Sequence, residues 1–417
     1  MLLKDIEGLV GAWETPPTHL SGAEMAALPV IENAWLAIDD GVIADFGPMS
    51  EFPGIVDWTG LEVVDCSGKF VWPAWCDSHT HLVFARDRGS EFEDRLNGLT
   101  YHEIAARGGG ILNSARALQE SSEAELVASA TSRLAEIQRT GTAAVEIKSG
   151  YGLTAEAELK MLRVIRQLAA SAEIPVRSTF LACHAVPDGM TAEAWTQHAI
   201  TNILPEVQSA DLADFIDVFC EAGYFDLEQT EAVLKAGNAA GLPAKIHANQ
   251  FQVLGAVPLA TSMGALSVDH LEELEQADVE ALARAAETPT PVFATALPLC
   301  SHFLSIPYTP GRRLIDAGVP LAIATDYNPG SSPSGNMTLA VQHAIVKMRL
   351  RPLEAIAAAT INGAAAMGLS DVAGAISPGR AANLIVSRKM KGLIDLGYDF
   401  GHDPVENVLI NGHWMRT

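Results

Sequence analysis

The sequence predicts an α/β protein, a (β/α)8 barrel carrying a small β-sandwich domain assembled from both chain ends, and three observations carry that prediction. Eight short apolar runs alternate with amphipathic segments between about residues 70 and 325, and eight is the number of helix-wrapped parallel strands that closes such a barrel. The two ends of the chain read instead as short strands broken by tight turns. Several of the apolar runs end in histidine or carboxylate side chains, at the strand ends where barrels of this kind place their chemistry.

In chain order, Ala34–Ile38 and Val42–Gly47 flank Asp39-Asp40-Gly41, and Asp-Gly between apolar runs signals a hairpin. The C-terminal stretch repeats the pattern, with Ala382–Val386, then Val405–Ile410 followed by Asn411-Gly412. Neither end holds enough apolar residues for a core of its own, so residues 1–70 and 373–417 are expected to fold together and 71–372 to form the barrel. The runs expected as barrel strands are 70–76, Thr142–Ile147, Ser178–Ala182, Phe215–Phe219, Ala244–Ile246, Ala265–Val268, Pro291–Leu297 and Pro320–Ala324. Between them, Thr154–Ala172 carries Leu159, Leu162, Ile165 and Leu168 at helical spacing, with Thr154 as N-cap.

Composition narrows the partners. The 417 residues are 48% hydrophobic and 19% charged, as a globular chain should be. With 51 acidic residues against 27 basic ones, a net charge of −24 argues against nucleic acid or an anionic membrane surface. Five cysteines, Cys66, Cys76, Cys183, Cys220 and Cys300, include no Cys-x-x-Cys pair, which predicts reduced thiols, buried as small hydrophobes, in a cytoplasmic protein. The N-terminal residues show no basic segment leading into an apolar core, and no apolar stretch is long enough to span a bilayer; neither export nor membrane insertion is expected.

The stretch Cys76-Asp77-Ser78-His79-Thr80-His81 closes the first run. Side chains two residues apart on a strand leave on the same side, about 6–7 Å apart, so His79 and His81 can share one metal ion. Further polar ends follow: Glu146 to Tyr151, Cys183-His184, His247-Ala248-Asn249-Gln250, Asp269-His270, and Thr325-Asp326 with the loop to Ser332. In a barrel all converge on one mouth, and imidazole with carboxylate suits zinc, iron or nickel. Gly108-Gly109-Gly110 lacks both the Gly-Lys-Ser/Thr ending and the preceding strand of a phosphate loop.

His79-x-His81, His247, His270 and Asp326 in these positions resemble the metal-dependent amidohydrolase superfamily. The longer strings Phe84-Ala85-Arg86-Asp87-Arg88, Arg107-Gly108-Gly109-Gly110-Ile111, Glu146 to Leu153 and Ala324 to Pro333 are similar to those of the imidazolonepropionase family. The resemblance implies a TIM barrel of amidohydrolase type with one zinc or iron ion per subunit, held by His79, His81, His247 and Asp326. It implies hydrolysis of 4-imidazolone-5-propanoate, a small cyclic amide with a propionate tail, and a homodimer. Arg88 would take the propionate, with Arg86 as rival; Tyr151 and His184 would contact the ring and its tail, Gln250 would hydrogen-bond the ring, and Asn328, Gly330 and Ser331 would take the carboxylate of substrate or product. Hydroxide generated at the ion would attack the ring carbonyl, with His270 and Asp326 as the catalytic pair that polarises oxygen and moves the proton. Glu272 and Glu273 either orient His270 or begin a solvated helix.

Two other functions share these ligands. A deaminase of a nucleobase-like ring needs an acid where this chain has Gln250, and an amide cannot protonate a ring. A non-catalytic barrel used for assembly has no need of the full ligand set.

Overall fold

In the computed structural model, which describes residues 1–99, 103 and 109–415, the chain opens with β1 (Leu2–Val10), β2 (Val30–Asp39), β3 (Val42–Pro48), β4 (Val63–Asp65) and β5 (Lys69–Pro73). Arg107 and Gly108 of the glycine-rich string lie outside the described residues. The C-terminal strands β14 (Leu384–Lys389), β15 (Val405–Ile410) and β16 (His413–Trp414) join those opening strands in one sheet ordered β16-β15-β14-β5-β1-β2-β3, with β4 on β1. The joint is the antiparallel pair β14–β5, in which Val386 faces Val71. Asp40 (φ 45°) and Gly41 (φ 80°) make the β2–β3 turn, both left-handed as a two-residue hairpin requires. The sheet curls until this turn meets the far end: Ala382 N donates to Gly41 O (2.9 Å) and Gly412 N to Ala382 O (3.0 Å). Leu3, Ile6, Leu36, Ile38, Val71, Leu384 and Leu409 fill the enclosed space.

The barrel strands are β6 (Trp75–Thr80), β7 (Thr142–Lys148), β8 (Val176–Cys183), β9 (Phe215–Cys220), β10 (Lys245–Ala248), β11 (Ser267–His270), β12 (Phe293–Ala296) and β13 (Leu321–Ile323), each paired with the next. The single run expected over 70–76 is therefore two strands in two sheets. Pro73 has no N–H with which to continue a ladder, and the next two residues turn to different sheets: Ala74 N donates to Asn383 O (3.0 Å) and Trp75 N to Gly141 O (2.8 Å).

Closure between β13 and β6 is made by residues beyond β13. Asp326 N donates to His79 O (3.0 Å) and His81 N to Tyr327 O (2.9 Å), while Thr325 places its N–H and hydroxyl on the Asp77 carboxylate at 3.0 and 2.6 Å. The seam thus fixes Asp326 against the His-x-His stretch. Of the surrounding helices, Ala155–Ser171 matches its periodicity, with Thr154 accepting from Ala157 N (3.2 Å) and Leu159, Leu162, Ile165 and Leu168 buried. Among the described residues no helix is long and apolar enough to cross a membrane.

Candidate active site

His79, His81, His247, His270 and Asp326 meet at the C-terminal mouth, each 3% exposed or less. His79 Nε2 and His81 Nε2 each stand 3.6 Å from Asp326 Oδ1, and His247 Nε2 stands 3.4 Å from His81 Nε2. His79 gives its Nδ1 proton to Asp269 Oδ2 (2.6 Å) and His247 gives its own to Asp217 Oδ1 (3.0 Å), so both rings turn a bare Nε2 lone pair inward. Burial and neighbouring cations push His79, His81 and His247 well below the ordinary histidine range, keeping them neutral. The facing Nε2 atoms of His79 and His247 are thus acceptors beside the Asp326 carboxylate. His79 Nε2 and His81 Nδ1 are buried without a hydrogen-bond partner. Such an arrangement is costly unless a cation occupies its centre, and three imidazoles with one carboxylate fit zinc or iron.

His270 reaches the cup by a different route. In a regular strand successive side chains alternate, and Asp269 already takes the inward position; His270 turns in because its backbone is left-handed (φ 84°). Asn249 (φ 57°), Leu271 (φ 64°) and Asp326 (φ 56°) share that conformation at the same mouth, strain of the kind that functional sites store. Thr309 Oγ1 holds the bend by donating to His270 O (2.6 Å). Glu272, one of the two roles foreseen for it, does face His270, with Oε2 3.4 Å from Nδ1. Burial alone would lower the His270 pKa, but Glu272, Asp326 and Asp269 raise it above the ordinary value. Burial pushes Asp326 up to about 6 and His184 down to about 4.

Directly beneath the cup lies a charged layer absent from the expected site. Lys148 Nζ reaches Glu146 Oε1 (2.6 Å), Asp217 Oδ2 (2.8 Å) and Asp269 Oδ2 (3.5 Å). One lysine therefore holds both carboxylates that orient His247 and His79. Lys245 pairs with Glu146 and donates to Ser78 O (3.0 Å) and Ala366 O (3.2 Å). All five side chains are essentially fully buried. Burial alone would lower the Lys148 pKa, yet Asp217, Glu146 and Asp269 hold it above the ordinary lysine value; burial would raise Asp269, but Lys245 and Lys148 keep it below the carboxylate range. Lys148 and Asp269 thus stay charged, and the layer fixes ring orientation as outer carboxylates do around metals.

Above the cup opens a cavity of about 930 Å³ lined by His81, Arg88, Tyr151, His184, Gln250 and Asn328 among others. Arg88 clamps Glu91 through Nε (2.7 Å) and Nη2 (2.5 Å), and Glu91 also accepts from Gly110 N (3.0 Å) and Asn113 Nδ2 (3.2 Å). Arg88 Nη1 lies over Gly330, where a Cβ would force the guanidinium to shift. The rival Arg86 is 73% exposed and faces Glu120. Tyr151 and His184 stand beside His81, the two imidazoles stacked at 4.8 Å. Gln250 Nε2 points at Cys300 Sγ (3.4 Å), so Cys300, expected only as buried filler, faces the pocket's polar groups. Asn328 lines the cavity but spends its amide inside the loop: Oδ1 accepts from Gly330 N and Ser331 N (both 2.8 Å), and Nδ2 donates to Asp326 O (2.7 Å) and Ser331 Oγ (2.8 Å). These bonds use the full capacity of its amide, so it shapes the loop, and Ser331 Oγ reaches Asp326 Oδ2 (3.3 Å).

Fold and cup together define a metal-dependent hydrolase barrel. The amidohydrolase family model matches residues 96–399. Imidazolonepropionases of Flavobacterium johnsoniae and Christiangramia forsetii are 51% and 49% identical to the chain, covering 99% of it and 98% and 99% of their own lengths. Among solved structures, E. coli guanine deaminase superposes with a TM-score of 0.69 over 99% of this chain and 98% of its own at 15% identity. A Xanthomonas campestris adenosine deaminase with bound zinc does so at 0.68, over 99% and 92%, with 17% identity; these likenesses carry the fold alone. The chain belongs to the amidohydrolase family and, within it, to the imidazolonepropionases. It is a hydrolase of a carbon–nitrogen bond.

Proposed function

We propose that this chain hydrolyses the cyclic amide bond of 4-imidazolone-5-propanoate to N-formimidoyl-L-glutamate in histidine degradation, using one zinc or iron ion held by His79, His81, His247 and Asp326. The observation that carries this reading is the convergence of those four side chains, with His79 and His247 turning bare Nε2 atoms inward, at the floor of a cavity with an arginine on its wall. When bound there, the ion lowers the pKa of water towards neutrality and so supplies hydroxide.

The chain's own residues bind and steer. Arg88, braced by Glu91, offers its Nη1 side to the propionate, a charge-assisted contact. Gly330 leaves room for that guanidinium, and the loop tied by Asn328 presents Ser331 beside it. Tyr151, His184 and Gln250 line the ring's place. His270, backed by Glu272, polarises the ring carbonyl oxygen or takes up a proton, and Asp326 passes a proton to the leaving nitrogen. Gln250 orients and does not transfer protons. We place the enzyme in the cytoplasm as a homodimer; its five unpaired, buried cysteines support a reducing compartment.

The test is to supply enzymatically generated imidazolone propionate to the purified metal-loaded enzyme and follow its ultraviolet absorbance. The absorbance should decay as N-formimidoyl-glutamate accumulates, and a stable absorbance without that product would overturn the substrate assignment.

A further inference from the structure

Beside the cup, on its β11–β12 side, lies a second set of metal donors. His270, Glu272 and Cys300 bring one ligand atom each to within 4.8 Å of one another, and their exposures of 3%, 4% and 0% remove them from bulk water. Nδ1 of His270 faces Glu272 at 3.4 Å, so this group engages the ring edge opposite to Nε2. Glu272 Oε1 accepts from Ser301 Oγ (3.1 Å), and Oε2, buried without a hydrogen bond, keeps an ion-pair contact with His270 Nδ1 (3.4 Å). A buried carboxylate oxygen held by so long a contact gains from a metal ion at bonding distance. The thiol of Cys300 has Gln250 Nε2 as its neighbour at 3.4 Å and lies in hydrogen-bonding reach of Asp326 and Ser331, contacts that a bound metal would have to replace.

We propose that His270 Nδ1, the Glu272 carboxylate and the Cys300 thiolate form a second metal site, for a thiophilic divalent cation such as Zn2+ or Cd2+. One nitrogen, one oxygen and one sulfur donor with a position left open suit a tetrahedral ion of that kind, and a thiolate disfavours Mg2+ and Ca2+. On binding, the Cys300 S–H and His270 Nδ1–H bonds break, both protons leave to solvent, and sulfur–metal and nitrogen–metal bonds form; no electron is transferred. The site shares no ligand with the four-residue centre. Its filling has a consequence that rests on the role given to His270 above: a ring coordinated through Nδ1 keeps one proton on Nε2 and has no place for another. The second ion would therefore inhibit where His270 acts by taking up the proton, and would leave its polarising role through Nε2–H in place.

Cobalt distinguishes the two sites, because the four-residue centre contains no sulfur. Titrating metal-free enzyme with Co2+ should give a thiolate-to-cobalt charge-transfer band with the second equivalent and not with the first. Cys300→Ser should bind the first equivalent as wild type does and show no band. Glu272→Gln, which keeps the thiol, should weaken the second equivalent by about 10-fold or more and answers the question if Cys300→Ser folds poorly. Excess Zn2+ should then inhibit the wild type at a concentration about 10-fold or more below that needed for Cys300→Ser. Failure of a second equivalent to bind, a second equivalent without the sulfur band, or a band that persists in Cys300→Ser overturns the site. A filled site with undiminished hydrolysis supports it and counts against the proton role of His270 instead.

Discussion

The cup and the layer beneath it are equally buried and equally polar, yet their hydrogen bonding is opposite. In the layer every charge has an opposite neighbour: Lys148 touches Glu146, Asp217 and Asp269, and Lys245 touches Glu146. In the cup His79 Nε2 faces Asp326 without a hydrogen-bond partner, and His247 turns a second bare nitrogen inward. The difference separates two jobs. A satisfied network holds geometry, and an unsatisfied one waits for a cation. The two are joined at two hydrogen bonds, His79 to Asp269 and His247 to Asp217, so the direction of two lone pairs is set by one lysine on β7.

Breaking the layer should therefore do the most damage. Lys148→Met removes the cation shared by three buried carboxylates; loss of one partner from a buried ion pair costs about 3–5 kcal/mol, to be read as a lower denaturant midpoint of the metal-free protein, with metal uptake lost as well. A milder change at the joint sharpens the comparison. Asp269→Asn leaves His79 a hydrogen-bond acceptor but removes its charge, and metal affinity should fall about 10–100-fold in chelator competition while the fold survives. Outside both regions, Arg88→Ala should leave the metal content unchanged and raise KM for the propionate-bearing substrate by about 1.5–3 kcal/mol, the worth of a hydrogen bond to a charged group. An unchanged KM would move the anchor elsewhere.

The same contrast explains what the sequence reveals. His79, His81, His247, His270 and Asp326 are legible because each follows an apolar run, where a polar residue needs a reason. The barrel strands and the helix Ala155–Ser171 follow from periodicity, and the Asp40-Gly41 turn from its chemistry. The charged layer is written inside the runs, as Glu146, Lys148, Asp217, Lys245 and Asp269. Charges in strands that a parallel barrel buries are themselves a warning, but which lysine meets which carboxylate depends on register: Lys148 and Asp217 are 69 residues apart. Glu91 sits on a short helix after the first barrel strand with no periodic signal to mark it. Ala74, where the chain changes sheets, is hidden inside one continuous apolar run, with only Pro73 as a hint. Asn328 was recognisable as a loop residue beside the site, but its four internal hydrogen bonds are a property of the folded loop.

The most direct measurement is the metal content of the purified protein after exhaustive dialysis, compared with His247→Ala and Asp326→Asn variants whose circular dichroism matches the wild type. One equivalent of zinc or iron per chain in the wild type, lost from both variants, is the predicted result. Variants that retain the full equivalent, or a wild type that takes up neither metal when offered it, would contradict the four-residue centre.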